Sequence, residues 1–440
     1  MTTTVIKSIG TAGGRDYTTL QAWEDAAPAD LVTADQIWRG EVYNDSTFTA
    51  ALVVSGSTSD STRYKELTAA AGHSFIDTPT NPLRFGTSYG AHISYAVGYN
   101  TAVKLTEKNS RMSRMQVRST NTNERSLDTY GFQGTVYVDK CLFEGASGPN
   151  GFSNSVVLNQ YGVITNSVII KTHTSSSASA LTLDHGTAVN NTIINSSGSG
   201  LGTGLSQWYS GTGCTARNNA IFGFATVADN IGGTHQTNAT DLTSPGAGWT
   251  GLIAFTTATF ANVSTNTWDW KTVSGSALLN AGTTDTTNAA TDIFGTARPA
   301  GASYDIGAYE YASVSLPTLG YAVGDTSTGA WTPSAGGTLY GVIDETTPSD
   351  ADYISVASLS TCEVLLNETA FPGGAIQTLS YRASSSSGSG LTVTLKQGAT
   401  TIASWSHGLT ATDTLYVQTL TSGQIAAITA GALSVSLTST

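Results

Sequence analysis

The chain has 440 residues, of which only 11% are charged, and its formal net charge is −12. The length allows two domains, and the acidic balance argues against binding to nucleic acid or to an anionic membrane, both of which need basic patches. No apolar run approaches the roughly 20 residues that span a bilayer. Residues 1–10 lack the apolar core of a secretory signal, so we expect synthesis in a cytoplasm.

Residues 1–100 predict a strand at Val5-Ile6 followed by one short helix within residues 17–28. Thr18 and Gln21 have the spacing of a capping box, and Pro28 ends the segment. Leu20 and Trp23 fall on one helix face, which we expect, together with Trp38, to cover the open end of a coiled β-structure. Further strands are predicted at Thr49–Val54, Pro82–Gly86 and His92–Val97.

A four-residue pattern recurs five times between residues 111 and 222, and aligning it on positions 115, 141, 167, 192 and 220 gives nearly constant intervals. Its fourth position is always apolar: Val117, Phe143, Ile169, Ile194 and Phe222. Short Val-, Ile- and Thr-rich runs are separated by Gly, Ser and Asn, and no run has the length and spacing of a crossover helix. One turn of a coil per repeat explains such columns.

The sequence therefore predicts an all-β fold that begins with a right-handed parallel β-helix, with the apolar column forming its interior. The alternative, a sandwich of antiparallel hairpins, gives no reason for columns in register over five units. Asn166, Asn191 and Asn219 occupy one column in this alignment. They predict a ladder of Asn side chains at a corner, where Asn tolerates left-handed backbone.

Two stretches resemble a known family. The run SIGTAGGRDYTTLQAWEDA (residues 8–26) is similar to the start of right-handed β-helix repeat proteins of bacteria and phages. The runs SALLNAG and DIFGTARPAGASYDIGAYEY (within residues 276–311) are similar to the end of the same proteins. The matching positions are Asp292, Gly295, Arg298, Pro299, Asp305, Ile306, Gly307, Ala308, Tyr309 and Glu310, while Asn280 stands where the family has Asp. The resemblance implies a pectate-lyase-like β-helix over about residues 1–312. It implies no particular activity, because the family spans many functions.

The closing motif also has an architectural interpretation. Arg298 and Asp305 are predicted to form a bidentate pair that fixes the last turn, and Ile306 and Tyr309 to plug the open end of the coil. The aromatic residues before it favour either packing at the last turns or a platform on which a glycan stacks. Candidates for glycan stacking are Trp208, Tyr209, Trp268 and Trp270.

The remaining chain changes character. A linker is predicted over residues 313–332 and a second domain over 333–440, after a β-helix with its N-terminal capping helix over 1–312. Strict alternation, as at Leu391, Val393 and Leu395, is typical of antiparallel sheets with one buried face. Predicted strands are Leu339–Asp344, Tyr353–Val356, Cys362–Leu366, Ile376–Ala383, Leu391–Gln397, Thr401–Ser406, Thr414–Leu420 and Leu433–Leu437. They predict a β-sandwich of jelly-roll or immunoglobulin-like type, and residues 337–354 and 391–408 resemble a C-terminal module of phage structural proteins.

The sequence offers no catalytic, metal or cofactor site. Cys141, Cys214 and Cys362 are interpreted as buried apolar residues without a Cys/His metal pattern. Polysaccharide-cleaving β-helix enzymes place carboxylates together on one face, but Asp139, Glu144 and Asp184 occupy different columns. Lys171 and His173, placed beside an exposed corner, have no acidic partner in register.

Two function classes remain. The first is a non-enzymatic phage virion surface protein, either a capsid decoration protein or a head or tail spike, that binds major capsid or other virion proteins and, as an adhesin, host surface polysaccharide. A homotrimer is expected, and the absence of an N-terminal anchor domain favours head decoration. The second is a tailspike-type polysaccharide depolymerase, a lyase or glycoside hydrolase. Cleavage of host polysaccharide distinguishes the two.

Overall fold

A computed structural model describes residues 2–96, 101–120, 125–129, 134–145, 155–158, 161–171, 178–197, 200–207, 213–229, 232–243, 245, 247–312, 322–343, 352–366, 378–428 and 432–440. The fold is all-β with very few helices. The chain divides into two compact units, Met1–Ser313 and Val314–Thr440. None of the helices in these described ranges is long and apolar enough to cross a bilayer.

The first unit is a parallel β-solenoid of about six turns, which confirms the predicted coil. Each complete turn contributes one strand to each of three sheets, and further strands extend these sheets at the ends of the coil. Neighbouring strands within each sheet pair in parallel. Sheet 1 contains Thr3–Ile9, Gln36–Val42, Lys65–Ala69, Arg111–Ser113, Tyr137–Asp139, Val163–Thr165, Thr187–Val189, Cys214–Arg217 and Gly233–Gln236. Sheet 2 contains His92–Tyr95, Gln116–Ser119, Leu142–Gly145, Val168–Lys171, Thr192–Asn195, Ala220–Phe222, Asn238–Thr240 and Trp249–Thr250. Sheet 3 contains Leu52–Val54, Val103–Leu105, Leu127–Asp128, Val156–Leu158, Ser179–Leu183, Thr203–Gln207 and Thr226–Asp229.

The interior of the solenoid is a stack of apolar side chains. In sheet 2, Val117, Phe143 and Ile169 are in register with one another, and all are fully buried in one core. The next member of this column is Ile193, because Ile169 pairs with Ile193 rather than with Ile194. The sequence alignment was therefore wrong by one residue after the third repeat. Ile194 is still buried, but on the outer side of sheet 2.

The corner between sheets 1 and 2 is built from two adjacent columns. The first has left-handed backbone at every turn: Arg114, Lys140, Asn166, Asn190, Asn218 and Thr237 all have φ between 47° and 61°. The second column, one residue later, carries the Asn ladder of Asn191, Asn219 and Asn238. Asn166 lies in the first column and binds Asp139 Oδ1 at 2.9 Å. Its predicted place in the ladder was wrong, for the same one-residue reason.

Asn219 is the centre of this ladder. Its Oδ1 accepts hydrogen bonds from the backbone N–H and the Nδ2 of Asn191, both at 3.0 Å. Its own Nδ2 donates to Asn238 Oδ1 and to the Ala188 carbonyl, both at 2.9 Å. Residues Asn191, Asn219 and Asn238 are completely buried, so each turn depends on the next for its polar contacts.

Replacing Asn219 by alanine is expected to destabilise the first unit by about 3 kcal/mol. It removes the acceptor of the Asn191 backbone N–H, one of the two acceptors of Asn191 Nδ2, and a donor to the Ala188 carbonyl. A buried polar group that is left unpaired costs about 1–3 kcal/mol. Urea unfolding followed by tryptophan fluorescence measures the change. In the control Asn262→Ala, the lost amide bonds join only an exposed turn, and we expect a loss below about 1 kcal/mol. Equal losses in the two variants contradict the ladder's role.

The predicted N-terminal helix is present as α1, Leu20–Asp25. It is shorter than the predicted span, and its cap is Thr19 instead of the predicted Thr18, because the Thr19 side chain accepts the Ala22 N–H at 3.1 Å. Leu20 and Trp23 are buried in the solenoid's interior core, and Trp38 Nε1 donates to the Trp23 carbonyl at 3.1 Å. A second helix, Leu31–Ala34, was not predicted.

A second core lies outside the coil, against the outer face of sheet 2. Two segments cover this face. One, residues 75–89, includes the predicted strand Pro82–Gly86, which forms no strand. The other, residues 253–310, contains the antiparallel pair Phe260–Asn262 and Asp269–Thr272. The buried residues of this core are Phe75, Ile76, Leu83, Phe85, Leu142, Val168, Ile170, Ile194, Ala220, Phe222, Ala239, Ile253, Phe260, Trp268, Trp270, Leu278, Ile293, Ile306 and Ala308.

The closing motif runs along this outer face and not over the end of the coil, so the predicted plug by Ile306 and Tyr309 was wrong. The Ala308 N–H donates to Thr192 Oγ1 at 2.9 Å, and Asn190 Nδ2 donates to the Asp305 carbonyl at 2.9 Å. Ile306 belongs to the outer core and Tyr309 packs against it. The closing motif therefore packs on the apolar outer face of sheet 2 and bonds to the polar corner residues beside it.

The second unit consists of antiparallel sheets. A five-stranded sheet has the order Ala322–Ser327, Thr361–Leu366, Leu433–Ser439, Gly390–Gln397, Thr400–Gly408, and two smaller sheets pair Thr332–Pro333 with Ile354–Ser355 and Thr378–Ala383 with Thr414–Thr419. Ala322–Ser327 lies inside the predicted linker 313–332 but is an edge strand. Tyr340–Val342 forms a 3₁₀-helix where a strand was predicted, and Ser422–Ala426 is helical. The strands Gly390–Gln397 and Thr400–Gly408 form a hairpin that turns at Gly398. The sandwich stays a prediction.

Candidate functional site

A cavity of about 380 Å³ opens where the two covering segments meet above sheet 2. We call it the Arg118 pocket. Its floor carries Arg118 and Glu144, which are adjacent in the register of sheet 2. Its walls and rim come from the two covering segments: Arg84, Phe85, Gly86, Thr87, Ser88 and Tyr89 from the first, and Asn266 and Trp268 from the second.

The floor of the Arg118 pocket is an ion pair held over an aromatic ring. A terminal guanidinium nitrogen of Arg118 lies 2.8 Å from Glu144 Oε1, and the guanidinium carbon lies 4.1 Å from the Phe85 ring centroid. Burial raises the pKa of the Glu144 carboxyl, and the Arg118 charge lowers it in part. Arg118 is therefore fixed from both sides.

The rim is held by Arg84, which joins the two covering segments. Its guanidinium donates to the Asn266 carbonyl at 2.7 Å and to the Tyr89 hydroxyl at 2.9 Å. On the floor side, the amide of Gln116 exchanges hydrogen bonds with both backbone groups of Gly86, at 3.0 and 3.2 Å. These bonds fix the loop that carries Thr87 and Ser88, which are both exposed at the mouth.

Three polar atoms of the lining residues are buried without a hydrogen-bond partner among the described residues. They are Glu144 Oε2, Arg118 Nε and Trp268 Nε1. Buried polar groups are ordinarily paired, with protein or with ordered water. All three atoms belong to side chains that line the Arg118 pocket.

The predicted glycan-stacking residues do not form a platform in the described part of the chain. Trp270 is 1% exposed and Trp268 is 8% exposed, because both rings pack in the outer core and stack on each other with centroids 6.2 Å apart. Only Trp268 also lines the Arg118 pocket. Trp208 and Tyr209 lie outside the described residues.

The Arg298–Asp305 side-chain pair was predicted incorrectly. Arg298 forms its ion pair with Glu310, at 2.7 Å, and both side chains are buried. Its other bonds go to the backbone carbonyls of Asp305 and Gly307. The Asp305 carboxylate instead accepts backbone N–H groups from Asn280 and Tyr311. Both residues therefore hold the closing motif in place.

Asp305 is expected to give the first unit a pH-dependent stability. Burial raises its pKa from 3.8 to about 6, although two N–H groups oppose the shift. The folded state then binds more protons than the unfolded state between about pH 4 and 6, so this contribution is present below pH 4 and lost as the pH rises through 6. In the unmodified chain, the free energy of unfolding should therefore fall by roughly 1–3 kcal/mol from pH 4 to pH 6 through this group, and in Asp305→Asn this fall should be absent. Urea unfolding at several pH values measures the difference. If the free energy of unfolding depends on pH equally in the variant and in the unmodified chain, Asp305 is not the group responsible.

The other charged residues considered as chemical candidates have local partners. Lys171 is buried, not at an exposed corner, and its ammonium donates to the Ala178 carbonyl; burial lowers its pKa to about 8. Asp139 accepts bonds from Thr165 and Asn166. Asp184 pairs with His185 at 2.7 Å, and His173 lies outside the described residues.

The three cysteines form no disulfide bonds. Cys141, Cys214 and Cys362 are free and buried, as the sequence predicted. In the described ranges, no three His, Cys, Asp or Glu side chains are grouped so that they could hold a metal ion.

Comparison with known proteins gives little further information. No protein-family model matches the chain, and no curated protein matches its sequence. The chain is similar to the crystal structure of Escherichia coli YbhC, with 10% identity and a TM-score of 0.30 over 56% of this chain and 75% of that one. It is also similar to the enzymatically active domain of bacteriophage CBA120 tailspike protein 4, with 11% identity and a TM-score of 0.18 over 96% of this chain and 63% of that one. At these scores neither likeness supports an argument about function, and membership of the pectate-lyase-like superfamily stays a prediction.

Proposed function

We propose that this chain is a non-enzymatic structural protein of a phage-type virion surface, a spike or capsid decoration protein, which attaches to glycan on the host. The observation that carries the proposal is the continuous Asn ladder and apolar column, which join successive turns through buried contacts. Such a stack resists local unfolding, as an exposed scaffold must. The phage-like closing motif of the sequence agrees with this role.

The location is tested by electron microscopy of virions produced with and without the gene. A surface feature that is lost with the gene, and restored by the purified protein, is the expected result. Head and tail positions are distinguished in the same images. Virions that are unchanged in composition and appearance contradict the proposal.

The partners are other virion proteins and a second and third copy of this chain. Light scattering of the purified protein at micromolar concentration measures the mass, for which we expect three times 45.4 kDa. A monomeric mass contradicts the trimer. The major capsid protein and the other virion proteins are then tested singly for binding.

A polysaccharide depolymerase is the second candidate, and one observation favours it. Glu144 is a carboxyl with raised pKa that lines a cavity, which is a property of general acids. A glycoside hydrolase ordinarily needs a second carboxylate nearby, whereas Glu144 is the sole acidic residue in the described lining. Incubation with host surface polysaccharide, followed by assays for reducing ends and unsaturated products, distinguishes cleavage from binding alone.

A further inference from the structure

The Arg118 pocket concentrates positive charge on an acidic chain. Two guanidinium groups and one carboxylate line it, which gives it a local charge of about +1, while the whole chain carries −12. Glu144 Oε1 is occupied by Arg118. An anionic group entering from the mouth therefore meets Arg84 and Arg118 as its nearest opposite charges, and arginine binds carboxylates with good geometry.

The same cavity also has an unused acceptor. Glu144 Oε2 has no donor among the described residues. A sulfate or a phosphodiester beside this oxygen would be repelled, because neither carries a proton to donate at neutral pH. This oxygen is buried in the structure, so a ligand hydroxyl reaches it when the lining side chains shift. The two arginines and this acceptor together favour a ligand that carries both an acidic group and hydroxyl groups.

Aromatic side chains complete the lining. Phe85, Tyr89 and Trp268 border the cavity together with the two arginines. Aromatic rings offer a large apolar surface to a ligand, and Tyr and Trp also carry a polar hydrogen-bonding group at the ring edge. A volume of about 380 Å³ is at the lower end of the roughly 300–1,000 Å³ of small-molecule sites, which suits one sugar ring and not a long oligosaccharide.

We infer that the Arg118 pocket binds one acidic monosaccharide unit, a uronic acid type of sugar, of the host surface glycan. The carboxylate of the sugar lies against Arg84 and Arg118, a hydroxyl donates to Glu144 Oε2, and the ring contacts Tyr89 and Trp268. This inference rests on the proposed function for the source of the sugar, but the binding of the free sugar tests it separately.

The first experiment measures binding of free sugars to the full chain by saturation-transfer NMR. Sodium glucuronate and galacturonate are the probes, and glucose and galactose are the neutral controls. We expect the acidic sugars to bind at least about tenfold more tightly than the neutral ones. Equal binding of acidic and neutral sugars, or no binding up to about 10 mM, overturns the inference.

Variants localise the binding. Ser88→Trp places a large side chain at the exposed mouth without touching the Arg118–Glu144 pair, and should abolish binding. Ser61→Trp, at an exposed position on the sheet 1 side of the solenoid, is the matched control and should bind as the unmodified chain does. Unchanged binding by Ser88→Trp overturns the assignment of the pocket.

Intact host glycan separates this inference from the proposed function. If Ser88→Trp binds glycan as well as the unmodified chain, the pocket inference fails and adhesion stands. If the free acidic sugars bind at the pocket but no host glycan binds, the pocket inference stands and adhesion fails. If Ser88→Trp loses the binding of free acidic sugars and of glycan while Ser61→Trp keeps them, the pocket inference and the adhesion proposal are both supported.

Discussion

Replacing Lys65 by methionine is expected to destabilise the first unit by about 3–5 kcal/mol, the range observed when one partner of a buried ion pair is removed. The Lys65 ammonium lies 2.6 Å from Glu24 Oε1 and 2.9 Å from Glu107 Oε2, and it donates to the Ser55 carbonyl at 2.6 Å. All three charged side chains are buried. Without the cation, two carboxylates remain close together in the interior of the protein.

The location of this cluster explains why the effect should be large. Glu24 is on α1, Lys65 is in sheet 1, and Glu107 follows a strand of sheet 3. Both carboxylates also accept backbone N–H groups, from Ser55 and Ser57 at 2.9 Å. Removing the ammonium therefore weakens the contacts of α1 with both sheet 1 and sheet 3.

The loss should depend on pH. Burial already raises the pKa of Glu107, and without Lys65 the nearby negative charges raise it further. The folded variant then binds protons that the unfolded chain has released, so its stability falls as the pH rises above about 4.5. The difference between Lys65→Met and the unmodified chain should be smaller at pH 4 than at pH 8.

Two further variants serve as controls. Lys7→Met removes a partly exposed pair with Asp16 at 3.5 Å, and such pairs contribute about 0–1 kcal/mol. The triple variant Glu24→Gln, Lys65→Met, Glu107→Gln keeps the acceptors for Ser55 and Ser57 but removes the charges, so it should recover part of the loss. Urea unfolding followed by fluorescence measures all of them. A loss below about 1 kcal/mol in Lys65→Met contradicts the role of the cluster.

The repeat pattern predicted the coil because its physical cause is local. Each turn places an apolar side chain inside and a residue with left-handed backbone at the corner, so Phe143 and Ile169 recur at a fixed spacing. The register failed between Ser167 and Asn191, which are 24 residues apart and correspond across the ladder. Asn190 and Asn191 are neighbouring Asn residues, and sequence alone did not show which one occupies the left-handed corner.

The outer core was not predicted, because nothing local encodes it. Ile170, Ile194 and Phe222 are apolar on the outward side of sheet 2, but the segments that cover them, residues 75–89 and 253–310, belong to distant parts of the chain. Long-range packing decides such cases. Trp270 was considered for glycan stacking for this reason, and the structure places its ring in the outer core.

One signal of the Arg118 pocket was present in the sequence. Arg118 and Glu144 are separated by the repeat length, as Val117 and Phe143 are, so opposite charges occupy one outward column. Cross-strand pairs of opposite charge are a common stabilising contact. Comparing the columns of carboxylates alone does not reveal this pair of opposite charges. Arg84 could not be placed, since its segment has no repeat.

Arg298→Met is the second variant for which we expect a large effect, a loss of about 3–5 kcal/mol from the closing motif. It leaves Glu310 as a buried charge without its cation, and it removes donors from the carbonyls of Asp305 and Gly307. Arg298→Lys should lose less, because an ammonium keeps the charge but cannot reach three acceptors in a planar arrangement. Arg39→Met, which breaks a partly exposed pair with Glu66, is the control.

The readout for Arg298→Met should be local as well as global. The motif is bound to the solenoid through Thr192, Asn190 and Asn218, and it covers apolar residues of sheet 2. Its release should increase proteolysis within residues 253–312 and binding of a hydrophobic dye, while the backbone amides of the Asn ladder stay protected from hydrogen exchange. If the ladder loses protection together with the closing motif, the outer core and the solenoid form one cooperative unit. Unchanged proteolysis and stability would show that Arg298 does not hold the motif in place.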